Sequence, residues 1–246
     1  MKILAADTST KIVSIAVLNN ADTKINIHKS FQRSQGSALI PMIKKLLDRV
    51  HWKIKDIELF CAGVGPGSFT GLRVGLATLK GFAAAHHLPL VGISTLEALA
   101  HNGALSDLPV AAILDAKRGE VYAGIYQFAW SKRHPRENGD PGIPASAGMT
   151  NCTILMKETA IAPILLCNTL KELGPCWLIG DGALHYQKIF QEALKENAFF
   201  PPEPLMRLQA KWIAWLALPR LQKGEGKNWA SLAPNYLRLS DAETKK

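Results

Sequence analysis

The sequence predicts an α/β protein of two lobes, the second a shorter, degraded copy of the first. Three observations predict this. The first hundred residues alternate strand-like and helix-like apolar patterns in the order β-β-β-α-β-α-β-α. The pattern then restarts with a strand, a tight turn and a strand, and it ends in helices. A chain of 246 residues is also long enough to bury two such cores. The predicted lobes cover 1–105 and 106–246.

The elements follow in order. "KILAA" is an apolar strand that ends at Asp7, and "DTST" turns the chain. "KIVSIAVLN" and "TKINIHKS" alternate and read as two further strands of a meander. "SALIPMIKKLLDRV" sets Leu39, Met42, Ile43, Leu46, Leu47 and Val50 at helical spacing. "DIELFCAGV" returns as a strand and "TGLRVGLATLKGFAAAHH" as a second helix. "LPLVGI" is a strand, and "STLEALAHN" opens a short helix with a capping box from Ser94 to Glu97. In the second half, "LPVAAILDAKRGEVYAGIYQF" is a strand, turn and strand. Helices are expected near 157–173, 184–196 and 207–222, with a strand at "CWLIGD". The order of the first lobe matches the ribonuclease-H-like lobe of the actin, sugar-kinase and Hsp70 superfamily, so the expected fold is the two-lobed actin-like ATPase (ASKHA) fold.

Composition bounds the function. A hydrophobic fraction of 48% and a charged fraction of 20% describe an ordinary soluble protein. The net charge of +9 attracts acidic partners, nucleic acid among them, but no run of five basic residues focuses it. No secretion signal and no 18-residue apolar stretch is visible, so a cytoplasmic protein with no membrane span is expected. The four cysteines form no C-x-x-C pair.

The stretch "GVGPGSFTGLRVG", 63–75, has the look of a phosphate loop. A Walker loop needs a lysine after its last glycine, yet Gly71 is followed by Leu72. A dinucleotide fingerprint needs a third glycine where Ser68 stands. The residues favour a strand-to-helix turn punctuated by Gly65, Pro66 and Gly67 and capped by Ser68 or Thr70. Segment 131–150 lacks periodicity. Arg133-His134-Pro135-Arg136 and Ala147-Gly148-Met149-Thr150 can be encoded as an in-frame inverted repeat, which suits a genomic element inserted in a tolerant loop.

"ILAADTST", "GVGPGSFTGLRVG", "GISTLEALA", "LDAKRGEVYAGIY" and "APNYLRL" occur in that order, and together they resemble the TsaB (YeaZ) family, over nearly the whole chain apart from roughly 127–175. The resemblance implies a noncatalytic scaffold and activating subunit without cofactors. It implies pairing with a catalytic paralog, TsaD, which transfers threonylcarbamoyl to the tRNA adenosine beside the anticodon. A small ATPase, TsaE, joins that pair, and tRNA is met through the complex. The paralog uses a His-x-x-x-His metal pair; here the histidines stand at 28, 51, 86, 87, 101, 134 and 185, and no two are four apart.

Candidate residues fall in two groups. Asp7, Thr8 and Ser9 sit on the first hairpin turn, and Asp115, Lys117, Arg118 and Glu120 on its counterpart in the second lobe. With Gly65 and Ser68 these are the candidate cleft residues, with an Asx-type turn as the competing use of Asp7–Ser9. Gly71, Gly75, Thr78, Phe82 and Ala85 recur at helical spacing as a stripe of mostly small residues. That stripe, with Leu39, Met42, Ile43 and Leu46, is expected to face the paralog. An autonomous nucleotide-dependent kinase or ATPase and a tRNA-binding module stay open as alternatives, as does a homodimer of the isolated chain.

Overall fold

The computed structural model describes residues 1–30, 35–129, 152–226 and 229–238; side chains of 35–37 are not described. The segment 131–150 singled out above lies outside the described residues.

The first sheet holds β1 (Lys2–Asp7), β2 (Ile12–Asn19), β3 (Asp22–Ser30), β4 (Leu59–Gly63) and β5 (Leu90–Ile93) in the order β3-β2-β1-β4-β5. β1, β2 and β3 pair antiparallel, while β4 joins β1 and β5 joins β4 in parallel. Residues alternate sides along a strand, so Ile3 and Ala5 enter one core while Leu4 and Ala6 enter another. A strand buried on both faces reads as an unbroken apolar run, which explains "KILAA".

Helices α1 (Gln35–Arg49) and α2 (Phe69–His86) cover one face of this sheet. On the other face lies the core shared with the second sheet, which α3 (Thr95–Ala100) and the last helix of the chain help to fill.

The second sheet holds β6 (Val110–Lys117), β7 (Glu120–Phe128), β8 (Cys152–Ile161), β9 (Cys176–Ile179) and β10 (Ala198–Phe199) in the order β10-β9-β6-β7-β8. Its pairings repeat those of the first sheet: β6, β7 and β8 antiparallel, β9 and β10 parallel. The reduction expected of this copy lies in strand length, two residues in β10, and not in strand number. Helices α4 (Pro163–Leu173), α5 (Asp181–His185) and α6 (Gln187–Leu194) follow, and α4 and α6 build the core on its outer face.

Three expectations need correction. The helix expected near 157–173 is strand β8 followed by α4. Pro163 starts α4 because its fixed φ suits a first helical turn and its missing N–H costs nothing there. The helix expected at 184–196 is two short ones that break at Tyr186. The last helix, α7 (Ala210–Gln222), packs on β1, β2, β4 and β5, so residues 106–246 are not one lobe: the chain returns to complete the first.

Candidate functional site

The β1–β2 turn carries the first group of candidate polar side chains. All three are turned inward: Asp7, Thr8 and Ser9 keep 1%, 2% and 2% of their surface. Asp7 Oδ1 accepts hydrogen bonds from the Ser9 amide at 2.9 Å and the Ser9 hydroxyl at 2.6 Å. The first bond closes an Asx-type turn. Asp7 Oδ2 accepts from Thr95 Oγ1 at 3.2 Å, and that hydroxyl in turn accepts from the Gly65 amide. Thr8 Oγ1 donates to the Gly71 carbonyl at 2.6 Å. Burial raises the Asp7 pKa above its ordinary 3.8, against the pull of the Ser9 and Thr95 hydrogen bonds.

The glycine-rich loop lies against this turn. The Ser68 amide donates to the Ser9 carbonyl at 2.6 Å, and Ser68 Oγ caps α2 by accepting from the Gly71 amide at 3.2 Å. Gly65 holds φ at 106°, and a Cβ there would come within 2.8 Å of the Asn235 carbonyl oxygen. Glycine is required at that position for both its backbone angle and its close neighbour.

Facing the loop across a cleft of about 540 Å³ is the β6–β7 turn. Lys117 and Glu120 pair across a two-residue connection, with Arg118 at φ 55° and Gly119 at 78°, both in the left-handed region, as a tight hairpin of right-handed twist needs. Lys117 is left-handed too, at φ 62°. Asp115 Oδ1 accepts from the Lys117 amide at 2.8 Å, and Lys117 Nζ pairs with Asp115 Oδ2. Burial pushes the Asp115 carboxyl up, but the Lys117 hydrogen bonds and charge outweigh it, and the net shift is downward. The Asp115 amide donates to Asp181 Oδ1 at 3.1 Å, and burial raises the Asp181 pKa.

Of the candidate cleft residues, Ser9, Ser68, Asp115, Lys117 and Arg118 line the cleft; Asp7, Thr8, Gly65 and Glu120 do not. Two lining residues, Tyr236 and Arg238, were not singled out from the sequence, although both stand in the "APNYLRL" block. Tyr236 stacks on Phe69 with ring centroids 4.7 Å apart, and Arg238 Nη1 donates to Glu120 Oε2 at 2.7 Å. The blocks around GPGSFTG, DAKRGEVY and APNYLRL thus meet at one cleft. Among the described residues no group of three or more His, Cys, Asp or Glu could hold a metal ion, and no helix is long and apolar enough to cross a membrane.

A family model described as "TsaD: tRNA N6-adenosine threonylcarbamoyltransferase" matches residues 17–246. The Bacillus subtilis tRNA threonylcarbamoyladenosine biosynthesis protein TsaB is 30% identical over 248 residues, which cover all of this chain and 97% of that protein. This chain belongs to the TsaB family. The Escherichia coli TsaB protein is 38% identical over 133 residues, 52% of this chain and 55% of that protein. The solved structure of YeaZ from Pseudomonas aeruginosa shares the fold, with a TM-score of 0.73 over 96% of this chain and 99% of that one at 24% identity.

The surface expected to face a partner in this TsaB-family chain is largely interior. Leu39, Ile43 and Leu46 keep 0%, 2% and 0% of their surface and fill the core between the helices and the first sheet. Gly71 and Gly75 are buried. The Gly71 carbonyl accepts from Thr8, and a Cβ on Gly75 would overlap the Thr8 hydroxyl. The absence of a side chain at Gly75 admits the chain's own hairpin turn. Of the expected interface residues, Met42, Thr78 and Phe82 are half-buried, and the neighbouring Ile40 is 54% exposed.

Proposed function

We propose that this chain is a noncatalytic, activating subunit in tRNA threonylcarbamoyladenosine biosynthesis, working in the cytoplasm beside a catalytic paralog of the TsaD type. One observation carries the reading. The side chains that could meet a phosphate, Asp7, Thr8 and Ser9, are spent on internal hydrogen bonds, and the glycine-rich loop is packed on them. A group that reacts with substrate must reach it, commonly within ~3 Å; Asp7 and Thr8 are buried away from the cleft, and Ser9, which borders it, is 2% exposed with its hydroxyl donated to Asp7. The relatives named as TsaB biosynthesis proteins support the pathway, and the sequence offers no His-x-x-x-His pair.

The partner surface is the outer side of the α1–α2 layer, centred on Ile40 with Met42, Thr78 and Phe82 at its edge. TsaE joins the assembled pair, and tRNA is bound by the complex. The test is co-purification with the paralog, then a transfer assay with threonylcarbamoyl-adenylate and tRNA in which each component is left out in turn. Modification is expected only when both paralogs are present. Multiple turnovers by this chain alone would overturn the reading in favour of an autonomous enzyme.

A further inference from the structure

The segment 232–238 runs from the first lobe to the second, Tyr236 and Arg238 lining the cleft, and among the described residues its two ends are held very differently. On the first lobe it has several pins. A Cβ on Gly92 would come within 2.6 Å of Leu232 Cδ1, so that leucine seats directly on β5. The Asn235 amide donates to the Val64 carbonyl at 2.6 Å. Tyr236 stacks on Phe69 and accepts from Arg73 Nε at 3.1 Å. On the second lobe, among the described residues, Arg238 does the holding: it donates to Glu120 Oε2 at 2.7 Å and to the Ala116 carbonyl at 3.4 Å. The paired side chains keep 25% and 39% of their surface, so water and salt reach them.

We propose that residues 232–238 form a clasp over the interlobe cleft, anchored on the first lobe and latched to the β6–β7 hairpin by Arg238 on Glu120, so that release of the latch opens the cleft between Ser68 and Lys117. The asymmetry of the anchoring sets which end lets go. Stacking, a backbone bond and apolar burial hold the first-lobe end in water or in salt. A single half-exposed ion pair is worth little and is screened as ionic strength rises. Release also frees the hairpin, whose left-handed Lys117 and Arg118 sit in a sparsely populated backbone region. The inference concerns the isolated chain and stands whether or not the proposed partner is correct.

The test uses the purified full chain and its Glu120→Gln variant, which removes the anion and leaves Arg238 as a tryptic site. Two measurements are made: amide hydrogen exchange of 115–121 and 232–238, and the rate at which trypsin cuts after Arg238. Exchange at both segments and cleavage are expected to speed by about two- to fivefold, the span of a partly exposed ion pair. Amides of β1 are expected to keep their parental rate. Unchanged exchange and cleavage would overturn the proposal. So would equal acceleration at β1, which would mark a general loosening and no latch.

Discussion

Gly75 lies directly against Thr8, so closely that a methyl group on the glycine would overlap the threonine hydroxyl. The two belong to α2 and the β1–β2 turn, and no room separates them. The close approach lets Thr8 reach the Gly71 carbonyl one turn earlier.

A Gly75→Leu chain is therefore expected to lose stability in isolation. Overpacking costs typically about 1–3 kcal/mol, roughly 2–12 °C in melting temperature for a chain of this size. Gly81 stands on the same helix with nothing within 4 Å of its would-be Cβ. Gly81→Ala should raise stability by up to ~1 kcal/mol through helix propensity. Thermal melts of both variants decide it; a Gly75→Leu chain as stable as the parent would contradict the packing described.

Asp7 gives a pH prediction. Its folded pKa lies above 3.8, mainly through burial. Between those two values the native state holds a proton that the unfolded chain has released. The stability tied to this group is fully present below 3.8 and is lost as pH rises through the raised value. Asp7→Asn removes the titration. Its stability relative to the parent should climb as pH rises from about 4 toward neutrality, read from urea midpoints at constant ionic strength. A difference that stays flat would mean Asp7 titrates normally.

Two exposed isoleucines test the proposed partner face against the rest of the surface. Ile40 on α1 and Ile164 on α4 keep 54% and 58% of their surface. Either one changed to Asp should leave the isolated fold within about 0.5 kcal/mol of the parent. Ile40→Asp is expected to weaken paralog binding by roughly tenfold or more, as loss of an interface anchor does. Ile164→Asp should not. Equal affinities in a calorimetric titration would move the interface away from α1.

Phe128 and Cys152 are paired neighbours on β7 and β8. The ends that flank segment 131–150 are therefore already together. Replacing 131–150 by a short glycine-serine linker should leave the melting temperature unchanged or slightly raised, since halving a loop saves only ~0.6 kcal/mol of closure entropy. A fall of more than about 5 °C, well over 1 kcal/mol, would make the segment integral to the fold.

The first lobe was legible because its information is local. Strands buried on both faces and helices of regular period follow one another through short turns, and each leaves its own mark on the sequence. β8 was not legible, since Ile154, Leu155 and Met156 run consecutively and hide the period of two, and its pairing partner, not its composition, makes it a strand. The position of α7 could not be read either: its period announces a helix, but nothing near it says which sheet it covers. The site shows the same division. The glycine at 75 announces a close approach without saying to what, and Thr8, far away in the chain, supplies the answer. Tyr236 and Arg238 sit in a polar stretch with no period, and only the folded chain brings them to Phe69 and Glu120.

The return of α7 to the first sheet also has a consequence for synthesis. The face of β1, β2, β4 and β5 that α7 covers is made early, and its cover is made only after the strands of the second sheet. Throughout the translation of the second lobe, the nascent first lobe carries an open apolar surface. Such a surface is a target for chaperones and for aggregation. Chains stopped before residue 210 should fail to mature, however complete their five strands.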